Sequence, residues 1–186
     1  DVYKRQGHHN AAWRAPDSSV DRLGDIAYYE ELARTAERGK LDAVFFADGQ
    51  SLSPGGLEDS PAWFLEPLTC LSAMARATSK IGLVSTVSSS FWTPFHAARI
   101  LASLDHISGG RIGWNVVTSM FDAEARNHGG TTLPGHEERY RRAEEFVDAV
   151  QALWDSWPRA SILADREGRY ADSTMICLLY TSDAAD

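Results

Sequence analysis

The sequence predicts an α/β chain of parallel β-α units, a portion of either a barrel or a doubly wound sheet. Three short apolar runs, Leu41 to Ala47, Ile81 to Val87 and Arg111 to Val117, recur about 35 residues apart. A stretch with helical spacing precedes each of them. Polar residues stand at or near their far ends: Asp48, Thr86, and Asn115 with Thr118 and Ser119. Sheets of this kind place their ligands at the carboxyl ends of the strands, so Asp48, Thr86 and Asn115 form a candidate site.

The first helix is expected over Asp25 to Arg38, where Ile26, Tyr29, Leu32, Ala33 and Ala36 share a face and Gly39 stops the run. Leu41 to Ala47 then reads as a short buried strand ending on Asp48-Gly49. Asp48 suits a turn as well as a ligand. Gln50 to Asp59 is loop, and Glu66 to Thr78 is helix, with Pro67 in its first turn. The strand Ile81 to Val87 follows, and Thr86 there is either plain strand structure or a ligand group.

Pro94 to Ile107 is the next helix, with Phe95, Ala98, Leu101, Leu104 and Ile107 on one face. Gly109-Gly110 ends it and the third strand begins. Ile112, Trp114, Val116 and Val117 are too apolar for a strand with one wet face, so burial on both sides is expected. Asn115 serves either the following turn or a ligand. Met120 to His128 reads as helix, with Asp122 and Glu124 where carboxylates favour the dipole. After a loop, His136 to Trp154 forms a long helix whose apolar face, by spacing, includes Tyr140, Ala143, Val147, Val150 and Trp154.

The 186 residues are 44% hydrophobic and 24% charged, enough for one sizeable core. A net charge of -8 without any basic stripe argues against nucleic acid and anionic membrane as partners. No apolar run reaches the length of a membrane span. Cys70 and Cys177 fit neither a disulfide framework nor a metal site and point to a reducing, cytoplasmic setting. The adjacent His8 and His9 lack convergent partners, so no metal is expected. Phosphate-binding glycine loops, GxSxG elbows and CxxC pairs are absent.

Both ends read as foreign. Residues 1–6, DVYKRQ, have no periodicity, and CLLYTSDAAD from Cys177 is unlike what precedes it. Both look like translated sequencing adapter, which leaves 7–174 as a partial domain and 1–6 and 175–186 as scars.

KLDAVFFADG, KIGLVSTVSSSFWTPFHAARILASLDHISGGRIGWNVVTS, DAEARNHG and HEERYRRAEEFVDAVQALWDSW resemble the bacterial luciferase-like flavin monooxygenases. The branch they resemble is that of the nitrilotriacetate and dibenzothiophene-sulfone monooxygenases. The resemblance implies a TIM-type (β/α)8 barrel of which this chain is roughly the N-terminal half. It implies reduced FMN as cofactor, a separate NAD(P)H-dependent flavin reductase, and O2 as co-substrate for oxidising a small organic molecule. Carried over by motif, Asp48, Thr86, Asn115, Glu124, His136 and Tyr140 are the implied flavin contacts. Luciferase itself has a His pair where this chain has Asp48-Gly49-Gln50, so light emission is not implied. A deazaflavin-dependent oxidoreductase of the same fold and an inactive fragment are the other readings, and a homo-oligomer is compatible with all of them.

Overall fold

The computed structural model describes residues 11–52, 59, 61 and 64–177. The leading stretch 1–6, the His8-His9 pair, most of the loop before Glu66 and the tail beyond Cys177 lie outside the described residues. Eight main elements follow in order. They are α1 (Ile26–Arg38), β1 (Ala43–Phe46), α2 (Pro67–Ala77), β2 (Gly82–Ser88), α3 (Pro94–Ser108), β3 (Ile112–Val117), α4 (Asp122–Asn127) and α5 (His136–Asp155). The strands form one parallel sheet in the order β1-β2-β3, with Phe46 opposite Ser85, Ser85 opposite Trp114 and Thr86 opposite Asn115.

Local chemistry fixes the helix ends. The Asp25 carboxylate accepts the Ala27 amide at 2.9 Å and starts α1. Glu66 accepts the Leu68 and Thr69 amides at 2.9 and 2.8 Å, with Pro67 in the first position of α2. Thr93 caps α3 ahead of Pro94. Gly109 closes that helix with φ 71°, a left-handed conformation that costs a residue with a Cβ, and the Gly110 amide returns to Asp105 O at 2.9 Å.

The helices cover one face of the sheet. Val44, Phe46 and Leu83 pack with Tyr29, Ala33, Leu71 and Met74, while Val87 joins Leu68, Leu101 and Leu104. Trp114 meets Phe146 of α5 edge-on at 5.9 Å, next to Ala97, Ala98 and Val150. The opposite face carries Ala43, Phe45, Val84, Gly113, Asn115 and Val117 by the alternation of the strands. On it Phe45 is 46% exposed, while Thr86 and Ser88 are buried.

This one-sided cover corrects two expectations. Leu41 to Ala47 is not a fully buried strand, since Val44 and Phe46 are buried while Ala43 and Phe45 are exposed. Ile112, Trp114, Val116 and Val117 are half-buried, because β3 is the edge strand of the described sheet. Helical periodicity also assigned too many residues to the core. Ile26, Phe95, Ile107 and Tyr140 are exposed at their helix surfaces, and Trp154 is 42% exposed although it bonds Ala98 O and meets Trp114 edge-on, since periodicity marks an apolar face without showing how much of it a neighbour covers. The helix expected from Met120 begins only at Asp122, because the backbone turns through Ser119 at φ 62° first.

The amino ends of the strands are tied by two side chains. Glu37 Oε1 accepts the Ser79 and Ile81 amides at 2.9 and 3.1 Å, along with that of Lys80. Those donors, Ser79 and Lys80 foremost, hold the Glu37 carboxyl below the usual range. Arg111 spends its five N–H groups on Ser108 O, Thr78 Oγ1, Ile81 O, Ala75 O and Thr78 O, at 2.7 to 3.2 Å. It thereby closes the carboxyl end of α2 against the start of β2 and β3.

Candidate flavin site

Thr86 is buried, and its Oγ1 accepts the Asn115 Nδ2 hydrogen at 3.0 Å across the strand pair. Asn115 therefore does not tie down the turn that follows β3. Its side chain lies on the open face with Thr86. This pairing leaves the Thr86 hydroxyl hydrogen, the Asn115 Oδ1 and the second amide hydrogen to meet a ligand. Gly113 stands on the same face two residues earlier, and a Cβ there would come 2.9 Å from Val84 Cγ2. The Val84 side chain thus occupies the space that a side chain at position 113 would need.

Past the strand ends, Glu124 is the hub. It is 5% exposed, and its carboxylate accepts the Met120 and Phe121 amides at 2.9 Å each and the Gln50 amide at 3.2 Å. Burial pushes the carboxyl up, but the three amides and Ser119 outweigh it and leave it below the ordinary carboxylate range. Ser119, also buried, shares a hydrogen bond of 2.8 Å with Ser88, so the ends of β2 and β3 are joined through hydroxyls.

Asp48 is half-buried and accepts a hydrogen bond from Gln50 Nε2. Burial first, then the charges of Glu66 and Glu124, raise its carboxyl above the usual value, against the opposing Gly49 and Gln50 donors. On α5, the exposed His136 and Tyr140 rings lie 4.5 Å apart, one helical turn from each other.

A cavity of about 970 Å³ opens between the end of β1, the end of β3, α4 and α5. Asp48, Glu124 and Tyr140 line it together with apolar Val116, Val117, Met120 and Phe121. Thr86, Asn115 and His136 are not on its wall; the first two pair with each other, and His136 reaches it only through its contact with Tyr140. Sequence reasoning missed Gln50, Ser88, Asn127 and His128, and it singled out Ser119 only as one of the polar residues at the end of the third apolar run. Among the described residues, no group of His, Cys, Asp and Glu is arranged to hold a metal ion, and no helix is long and apolar enough to cross a membrane.

The profile of the luciferase-like monooxygenases matches residues 6–176. The chain belongs to the luciferase-like monooxygenase family. Within it, the chain is 49% identical to N-acetyl-S-(2-succino)cysteine monooxygenase of Bacillus subtilis (strain 168), over 89% of this chain and 38% of that protein. It is 43% identical to dibenzothiophene-sulfone monooxygenase of Rhodococcus erythropolis, over 91% of this chain and 39% of that one. The branch named from the motifs is thus represented among the relatives. A crystal structure of riboflavin lyase, solved with a modified FMN and riboflavin, superposes with a TM-score of 0.84 at 31% identity, covering 94% of this chain and 41% of that one. The chain therefore spans about two-fifths of the length of the curated relatives it matches, 38% and 39%. Its three parallel strands and their helices are part of the family's TIM-type (β/α)8 barrel.

Proposed function

We propose that this chain is the part of a two-component monooxygenase that receives reduced FMN at the carboxyl ends of its strands. A separate NAD(P)H-dependent reductase supplies the cofactor in this reading, and O2 and a small organic substrate are consumed. The Thr86–Asn115 pair is the observation that carries it, because the pair offers both donors and an acceptor on one face of the sheet. That set suits the edge of a flavin ring, which alternates acceptors with an N–H. Asp48, Glu124, His136 and Tyr140 complete the proposed contacts.

When bound, the flavin supplies the electrons and the oxygen chemistry. The chain's own residues would bind, orient and shield it. Thr86 would donate its hydroxyl hydrogen and Asn115 would accept through Oδ1, which would orient the ring. Tyr140, backed by His136, offers an aromatic face from α5. Val116, Val117, Met120 and Phe121 give the cavity an apolar lining. Turnover is proposed for the longer protein.

Titration with FMN, followed by flavin fluorescence and by thermal unfolding, tests the reading. At a hundredfold excess over Kd, binding to the folded state adds about 2.7 kcal/mol. Thr86→Val and Asn115→Ala, each removing one member of the pair, should weaken binding about tenfold while leaving the fold intact. A chain that binds a deazaflavin and no FMN in either redox state would overturn the proposal.

A further inference from the structure

Gln50 sits in the loop after β1, yet all four of its hydrogen-bonding groups are engaged. Its amide donates to Glu124 Oε1 at 3.2 Å, and its carbonyl accepts the Asn127 Nδ2 hydrogen at 2.8 Å. Its side-chain Oε1 lies 3.2 Å from His128 Nε2, and its Nε2 donates to Asp48 Oδ2. His128 in turn stacks on Phe91, from the loop after β2, with centroids 4.3 Å apart and planes 7° from parallel. One amide therefore joins α4, the loops after β1 and β2, and a carboxylate on the cavity wall.

The polarity of this chain of bonds is fixed from one end. An ionised Asp48 only accepts, so the Gln50 amide must turn its nitrogen to Asp48 and its oxygen to His128. Only a His128 ring with its proton on Nε2 can then complete the bond. The charged groups around Asp48 are Glu66, at the start of α2, and Glu124, on α4, and both oppose its ionisation. Gln50 is the side-chain donor that favours it.

We propose that Gln50 and His128 are positioning residues: they hold the Asp48 carboxylate at the cavity wall, with the His128 proton on Nε2. This rests on the flavin reading only for what Asp48 would meet there. It assigns His128, an exposed residue remote in sequence from Asp48, a part in setting that carboxylate.

The test follows the Asp48 carboxyl by ¹³C NMR and the His128 ring by ¹⁵N NMR across pH. Gln50→Leu keeps most of the volume and removes the amide. His128→Phe keeps the ring against Phe91 and removes the N–H. In the wild type, His128 should show the proton on Nε2. Both substitutions should move the Asp48 midpoint upward, Gln50→Leu further than His128→Phe, and His128→Phe should add nothing in the Gln50→Leu background. Because His128 is exposed, its variant keeps the fold and the experiment informative even if Gln50→Leu unfolds. An unchanged Asp48 midpoint in His128→Phe, or a proton on His128 Nδ1, overturns the proposal. FMN titration of the same samples separates the two readings. Coupling without FMN binding removes the flavin and keeps the positioning relay, whereas binding without coupling does the reverse.

Discussion

Glu124 shows how one side chain can build a site it lines only in part. Three backbone amides from two segments converge on its carboxylate in a place 5% exposed, so its removal strands donors that water reaches poorly. Glu124→Ala should lower unfolding free energy by about 3 kcal/mol, read as a fall in the urea midpoint at constant slope. Its carboxyl is depressed in the folded state, so its contribution is complete above the unfolded value of about 4.3 and fades as pH falls through the lower folded value. The stability difference between wild type and Glu124→Gln should therefore shrink below about pH 4. A difference that persists unchanged to pH 2 would contradict this account. In the sequence Glu124 was visible as a carboxylate in a first helical turn and, through the family resemblance, as an implied flavin contact, but not as the hub of a hydrogen-bond cluster. Its distant partner, Gln50, lies 74 residues away, and no local pattern encodes a bond of that span.

At the scale of elements, the sequence was most legible where a helix or strand is set by its own residues. Asp25, Glu66-Pro67, Thr93-Pro94 and Gly109-Gly110 punctuate the helices within a residue or so of the expected limits. The strands were found by composition, though β1 is shorter than its apolar run, since only Ala43–Phe46 can pair with β2. What periodicity could not supply was the neighbour. Tyr140 follows the apolar spacing of α5 and is nonetheless 54% exposed, free to face a ligand. Joints between elements were equally hidden, and Arg111 is the clearest of them. Its five bonds reach back as far as Ala75, 36 residues earlier. Arg111→Ala should cost about 2 to 4 kcal/mol in chemical denaturation. Arg111→Lys should recover less than half of that loss, because one ammonium cannot serve carbonyls spread over α2, α3 and the residue before β2.

The molecule as a whole is a sheet with helices on one side. On the other side Phe45, Val84 and Val117 share a face with the Thr86–Asn115 pair, Phe45 being 46% exposed and the two valines partly so. Such surface binds hydrophobic dyes and favours self-association. Phe45→Ser, at a residue already 46% exposed, should reduce dye fluorescence and concentration-dependent sedimentation while changing the melting temperature little. A large loss of melting temperature would mean instead that Phe45 is part of a core. The parallel β-α class was readable from the recurrence of its units, and the barrel from the family resemblance. The open face was not, since an apolar strand reads the same whether or not its second cover is present.

The reach of the Glu124 bond also orders events in time. Each strand pairs with the next through one intervening helix, so the sheet grows from contacts between successive units. The link from Glu124 to Gln50 closes a loop of 74 residues, and those from Asn127 and His128 close loops of 77 and 78. Closing loops of that length carries the greater entropic cost, and it gains nothing until α4 exists. During synthesis, β1 and β2 can pair while Gln50 still faces solvent. The rim is assembled only once His128 has left the ribosome.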